Sequence, residues 1–348
     1  MLDVAALRAS WKDETPMKAI QYQAYGDYSE NRLVDLPRPE PQDGEVLVEM
    51  RAVGIQPLDN TFRSGHIFFA QPQNLPRIGG QTGAGVVVET RTDAFKVGDR
   101  VFVAGPGFGL TSDGVWREFV AAPAANLSPI PDGIDDDHAA AYRAGAGYMT
   151  GYLALTELAH FKAGQSVLAP AIGGAVGMET VQVARQLGAS LAISTAGSTA
   201  KAERARAAGY EHVIDLSQEG LRDGVERITK GKGVDVIVDG VSGQLTGPAL
   251  ASLATGGTCV IAGYAGGRNA EVNVTDIIWK QATIRGFNFR LFTPQTIAAA
   301  RATLAGFLKE GVLQPTIGKV LPMSRAAEAV RFLIEDRPFG RVIMDPRH

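Results

Sequence analysis

The stretch QSVLAPAIGGAVGMETVQVARQLGASLAIST (165–195) decides the fold. QSVLAPA (165–171) is an apolar run of strand length, and GGAVG follows it as a turn. In METVQVARQLG (178–188), Met178, Val181, Ala184 and Leu187 recur at helical spacing, and Gly188 stands where the helix should be capped. SLAIST (190–195) is the next strand. The same rhythm continues through a helix over 199–208 and the strands HVID (212–215), VDVIVDG (234–240) and TCVIAG (258–263). Strands alternating with helices predict right-handed βαβ units, hence an α/β, doubly wound parallel sheet with helices on both faces.

Ahead of this region the pattern is different. MKAIQY (17–22), EVLVEMRAVGI (45–55), GAGVVVET (83–90), GDRVFVAG (98–105) and REFVAAP (117–123) are short period-2 or Val-rich runs. Turn signals separate them at PRPEPQDG (37–44), KVGD (96–99) and PDG (131–133). They predict a mostly antiparallel, partly closed β-rich unit. From about 285 the chain returns to a strand, a helix (TPQTIAAARATLAGFLKEG, 293–311) and RVIM (341–344), which is expected to rejoin the first domain. The expected layout is an N-terminal extension (1–16), a β-rich domain (17–140 plus 285–348) and an inserted parallel α/β domain (141–284).

The composition bounds the function. The 348 residues suggest two domains at roughly 150 residues each. A net charge of −3 offers nothing to a phosphate backbone or an anionic bilayer, so neither nucleic acid nor membrane is an expected partner. No apolar run approaches the ~18 residues of a spanning helix. MLDVAALRASWKDETP (1–16) has one short apolar patch and an early Asp3, and does not read as a signal peptide. The single cysteine can form no intramolecular disulfide, which fits a reducing, cytoplasmic setting, and it cannot build a Cys-rich zinc site. Within TCVIAG, Cys259 reads as a small buried hydrophobe.

The turn AIGGAVG (171–177) lies where a strand hands over to a helix, the place a dinucleotide pyrophosphate needs it. Gly174 lets the backbone approach phosphate oxygens, Gly177 allows close helix–strand packing, and the helix N-terminus offers free N–H groups to an anion. Ile172 occupies the first position of the GxGxxG pattern, so the bare motif is imperfect. The flanking strand, helix and strand supply the context the motif lacks. An NAD site carries an acid about 20 residues further on, for the ribose hydroxyls. Here Ser194-Thr195-Ala196-Gly197-Ser198 has none, and Lys201 follows where it could pair with a 2′-phosphate; this favours NADPH over NADH.

Further landmarks are RAVGIQPLDNTFRSG (51–65), GAGVV (83–87), FKVGDRV (95–101), STAGSTAK (194–201), GVDVIVDGVSG (233–243), GGTCVIAG (256–263) and IRGF (284–287). With the AIGGAVG turn, and in this order from about 17 to 344, they resemble the zinc-independent medium-chain dehydrogenases/reductases of the quinone oxidoreductase and enoyl reductase branch. The resemblance implies a GroES-like β-rich domain carrying an inserted Rossmann domain. It also implies homodimers or homotetramers built by edge-strand contact between Rossmann sheets. The zinc branch needs a Cys where Gln56 sits, a His-Glu pair where Gln81-Thr82 sits, and a four-cysteine lobe; this sequence has none of them. The stretch RTDAFKVGD (91–99) also lacks a longer insertion common in relatives.

Carried over by motif, Gly173, Gly174, Ala175 and Val176 would hold the pyrophosphate, and Gly197, Ser198 and Lys201 the 2′-phosphate side. Ala262, Gly263 and Tyr264 would flank the nicotinamide ribose, Phe287, Asn288 and Phe289 would line the nicotinamide and substrate cleft, and Thr150 would lie near the carboxamide. Gln56 replaces the asparagine of the family's Asn-Pro-x-Asp motif but keeps an amide near the ring. Thr61 stands where a tyrosine is common and is too weak an acid to replace it. Gln56 and Thr61 are therefore candidates for orienting substrate or nicotinamide, no residue is assigned as a catalyst, no metal is expected, and Asp59 reads as a structural acceptor. Phe68, Phe69, Phe108, Trp116, Phe289 and Phe292 are candidates for an apolar wall.

These assignments predict hydride transfer from NADPH to a small hydrophobic conjugated acceptor, a quinone or an α,β-unsaturated carbonyl. Such an acceptor spreads the incoming charge, so neither zinc nor a tyrosine is required, whereas an unactivated ketone would leave an unstabilised alkoxide. Two alternatives stay open. An enoyl-thioester reductase would want a basic entrance for a phosphopantetheine arm, and residues 56–70 and 285–295 show no basic cluster. An NADPH-binding protein with little catalytic role would bind the nucleotide without turnover.

Overall fold

Six short runs, the first four almost wholly buried and the last exposed, assemble as the parallel sheet the sequence predicts. They are Ser166–Ala169, Leu191–Ala196, His212–Asp215, Val234–Asp239, Leu253–Ile261 and Thr283–Gly286. The molecule is a computed structural model that describes residues 16–66, 75–143 and 146–348. In space the strands run third, second, first, fourth, fifth, sixth, with every pair parallel. The order reverses between the first and fourth strands, and a sheet of this kind opens a ligand crevice at the carboxyl ends beside such a reversal. Leu168, Ile193, Ile214, Ile237 and Cys259 from the strands pack with Leu221, Val225 and Leu250 from helices on one core. Burial pushes the Cys259 thiol up to about 12, so it is an inert core side chain.

The chain divides into two units, one holding Met1–Ala144, Lys319–Asp336 and Arg341–His348, the other Gly145–Gly318 and Arg337–Gly340. This differs from the expected layout, which assigns 285–348 as a whole to the β-rich domain. Thr283–Gly286 pairs with the fifth parallel strand, satisfying backbone groups that strand would otherwise leave open, and the helix Pro294–Lys309 packs on the helix Gly147–Leu153. Residues 285–318 therefore belong with the Rossmann sheet.

In the other unit, Glu45–Ile55 is the central strand of a seven-stranded sheet. It pairs antiparallel with Thr82–Thr90, Phe119–Pro123 and Arg341–Asp345. RVIM thus closes on the first half of the chain, as its sequence suggests. A second, three-stranded sheet joins Met17–Tyr22 to Arg32–Leu36 and Arg77–Ile78. Trp116 and Phe108, candidates for the substrate wall, are instead buried members of this unit's core. The Trp116 indole donates to Gly54 O at 3.1 Å and packs against Gly79 and Gly80, where a Cβ would come within 2.5 and 2.2 Å of the ring. Phe68 and Phe69 lie outside the described residues. No described helix is long and apolar enough to cross a membrane.

Candidate functional site

The turn after the first parallel strand is shaped by the second. The Thr195 hydroxyl accepts from Ala171 N–H at 3.0 Å, and the Thr195 carbonyl accepts from Ile172 N–H at 2.8 Å. Ala171 takes a left-handed φ of +66°, while Ile172 is fully buried. A buried side chain, anchored from the neighbouring strand, thus does the work of the missing first glycine. Gly177 is required by its neighbours, because a Cβ there would lie 2.3 Å from the carbonyl oxygens of both Ala171 and Pro170. At Gly173 and Gly174 a Cβ would meet nothing nearer than 3.6 and 3.4 Å. The protein's own packing leaves those two positions open to an approach from outside. Gly174 caps the helix Ala175–Gln186, which has no side-chain cap and no acid in its first turn. Its first N–H groups and the positive end of its dipole remain available to an anion.

The second strand ends at Ala196, followed by an exposed Gly197. Ser198 caps the helix Thr199–Ala207, its hydroxyl accepting from Lys201 N–H at 3.4 Å. The Lys201 ammonium donates to Arg337 O at 2.9 Å, and the Arg204 guanidinium stacks 5.3 Å from the Phe339 ring. Both cations are held by neutral groups, and among the described residues neither is in an ion pair. Asp215, unremarked in the sequence, ends the third strand opposite Ala196. Its carboxylate accepts from Ser217 N–H at 3.0 Å and Ser217 Oγ at 2.6 Å. Hydrogen bonds from Ser217 and Thr199 hold it below the usual carboxylate range.

Beyond the fourth strand, the buried Asp239 carboxylate gathers Val241 N–H at 2.9 Å, Ser242 N–H at 2.8 Å and Thr246 Oγ1 at 2.8 Å. A Cβ at Gly240 would fall 2.7 Å from Val176 Cβ, and one at Gly263 would fall 2.4 Å from Gly240 O. Glycines therefore bring Val176 and Gly263, two expected cofactor contacts, to either side of the same turn. Ala262 N–H donates to Asp239 O at 2.7 Å. The remaining expected residues are more dispersed. Phe287 N–H donates to Ile261 O at 2.8 Å and its ring lies 5.5 Å from that of Phe292. Asn288 spends its side-chain oxygen capping the turn Phe289–Leu291, Tyr264 and Phe289 stand exposed, and Thr150 is buried on the helix Gly147–Leu153.

In the β-rich unit, Gln56 begins the helix Pro57–Arg63. Its N–H donates to Asp59 Oδ2 at 2.9 Å, and Gln81 Nε2 donates to Asp59 Oδ1 at 3.0 Å. Burial pushes the Asp59 carboxyl up to about 7 against these two hydrogen bonds, which act to lower it. Thr61 turns its hydroxyl back to Pro57 O at 3.3 Å, within its own helix. Gln81, noted in the sequence only as a histidine that is missing, is therefore Asp59's partner. A side chain that reaches a residue 22 positions away leaves no periodic signal to find it by. Among the described residues, no group of three or more His, Cys, Asp and Glu side chains is placed to hold a metal ion.

Comparison with known proteins agrees with both units. Residues 42–132 match the alcohol dehydrogenase GroES-like domain, and residues 175–305 match the zinc-binding dehydrogenase domain. The chain is 30% identical to the quinone oxidoreductase of Rattus norvegicus over 332 residues, covering 94% of this chain and 97% of the rat protein. It is likewise 30% identical to that of Pongo abelii over 316 residues, covering 90% and 92%. Among solved structures, the Pseudomonas syringae pv. Tomato quinone oxidoreductase superposes with a TM-score of 0.79 at 31% identity, covering 95% of this chain and 100% of that one. A mycobacterial protein complexed with NADPH superposes with a TM-score of 0.78 at 30% identity, again covering 95% and 100%. The chain belongs to the medium-chain dehydrogenase/reductase family, and quinone oxidoreductases are among its relatives.

Proposed function

We propose that this protein is an NADPH-dependent oxidoreductase that reduces a quinone or an α,β-unsaturated carbonyl without zinc. The observation that carries the reading is the open turn Gly173–Gly174 ahead of an uncapped, acid-free helix N-terminus, a cradle suited to a pyrophosphate. The names of the relatives and the NADPH complex of the mycobacterial neighbour support the same class.

When bound, NADPH supplies a hydride. The residues of this chain bind and orient. Gly173, Gly174, Ala175 and Val176 present backbone N–H groups to the pyrophosphate. Gly197 leaves space for the adenosine ribose, Ser198 offers a hydroxyl, and Lys201, steadied by Arg337 O, offers its charge to the 2′-phosphate. Ala262 and Gly263 wall the nicotinamide end. Tyr264, Phe287, Asn288, Phe289 and Thr150 belong to the same reading as apolar and polar lining, with Gln56 as an amide that orients. Gln56, Gln81 and Thr82 offer amides and a hydroxyl where the zinc branch places thiolate, imidazole and carboxylate, so the donor set does not fit zinc. With a conjugated acceptor, the product anion is delocalised and takes its proton from water.

Assembly follows the same logic. The edge strand Thr283–Gly286 is exposed along its length, and Ile278, Trp279, Ile284 and Leu291 nearby are exposed apolar side chains, as an interface with a second copy would require. Light scattering should return a dimer or tetramer.

The reading is tested by titrating the purified protein with NADPH and NADH, then assaying quinones, enones, enoyl thioesters and simple ketones. Lys201→Ala should raise the Michaelis constant for NADPH about tenfold, equivalent to ~1.4 kcal/mol, and leave that for NADH nearly unchanged. Faster turnover with NADH than NADPH, or equal loss for both nucleotides, would overturn it. Tight NADPH binding with no turnover of any acceptor would point instead to a binding role.

A further inference from the structure

Ser242 is buried in a backbone conformation, φ +59° and ψ −156°, that is essentially reserved for glycine. The next residue, Gly243, has φ +64° and meets its own left-handed requirement with no side chain at all. A glycine at 242 would do the same, so the strain is tolerated for something the serine adds. What it adds is a hydroxyl, and that hydroxyl donates to Gly263 O at 2.7 Å.

The surroundings over-determine the turn. Ser242 N–H is held by Asp239 Oδ1 at 2.8 Å, Gly266 N–H donates to Val241 O at 2.7 Å, and Ser242 bridges Gly267. On its other side, Gly263 closes on Gly240, which closes on Val176 of the phosphate turn. Fixing the Gly263 carbonyl also fixes the plane it shares with Tyr264 N–H, because the peptide group is rigid. Ser242 thus controls the direction of both polar groups in that peptide.

We propose that Ser242 is a positioning residue, whose hydroxyl sets the Gly263–Tyr264 peptide against the phosphate turn so that it receives the nicotinamide half of the nucleotide. This rests on the dinucleotide reading above. Because the nicotinamide half is common to NADPH and NADH, loss of the hydroxyl acts on both, unlike loss of Lys201.

The experiment measures Kd for NADPH and NADH by calorimetry, and Tm of the nucleotide-free protein, for wild type, Ser242→Gly, Ser242→Ala and Lys201→Ala. Both Ser242 variants should raise Kd for both nucleotides about fivefold, as the loss of one hydrogen bond would. Ser242→Gly, which relieves the backbone, should raise Tm by about 3 °C, while Ser242→Ala, which keeps the strain and loses the bond, should lower it by about 3 °C. A more stable Ser242→Gly protein with unchanged Kd would show a purely structural serine and overturn the proposal, as would a loss confined to NADPH. If Lys201→Ala separates the two nucleotides while the Ser242 variants bind normally, only this proposal fails. If the wild type binds neither nucleotide, the dinucleotide reading fails with it.

Discussion

In the α/β unit the turn Ala171–Gly174 is shaped by backbone contacts and the hydroxyl of Thr195, whereas in the β-rich unit the turn that starts at Gln56 is held by the buried carboxyl of Asp59. The first uses groups whose state does not change with pH. The second depends on an ionisable group that burial pushes up to about 7. Geometry should therefore dominate failure in one unit and protonation in the other.

The largest effect should come from Gly177→Ala. Its new Cβ would sit 2.3 Å from two backbone carbonyl oxygens, neither the end of a flexible side chain, so the strand-to-helix turn itself must move. We expect a loss of about 3 kcal/mol of stability in denaturant titration, independent of pH, together with loss of nucleotide binding. Normal stability and binding would mean that the close approach is not needed.

Asp59→Asn should act in the opposite sense and only over part of the pH range. The folded-state pKa of Asp59 lies above that of an unfolded aspartate, so the folded chain binds more protons between about pH 4 and pH 7 and loses stability as pH rises through that window. An asparagine can neither ionise nor lose that proton. Subtracting the wild-type curve from that of Asp59→Asn should leave a difference that grows across the window to at most a few kcal/mol and is flat above it. A difference independent of pH would show that Asp59 does not titrate there.

Gln81→Leu sharpens the same contrast with a smaller change. The Gln81 amide is one of two donors that hold the Asp59 carboxyl down, so its loss should move the inflection of that pH series upward. An inflection that stays in place would assign control to Gln56 N–H alone.

How legible each unit was in the sequence follows from the same difference. The parallel strands, the helix Ala175–Gln186 and the glycine turn were readable because apolar periodicity and glycine placement are local consequences of backbone geometry. The helix itself begins at Ala175, earlier than the Met178 suggested by its apolar face, because Ala175 and Val176 are only half-buried and add little to that face. The helix Pro57–Arg63 was seen only as a motif, being too short for periodicity. Trp116 and Phe108 looked like pocket residues because aromatic character does not say which way a ring points.

The order of residues by itself determined the class of sheet, the place of its glycine turn and the absence of an acid at the end of its second strand. These depend on neighbours a few positions apart. Tertiary structure alone decided that 285–318 completes the Rossmann sheet, that Arg337 O steadies Lys201, that Gln81 meets Asp59 and that Ser242 takes a glycine's conformation. Each of these joins groups far apart in the chain or sets a backbone angle through such contacts, and burial then fixes their energies, which no local pattern encodes.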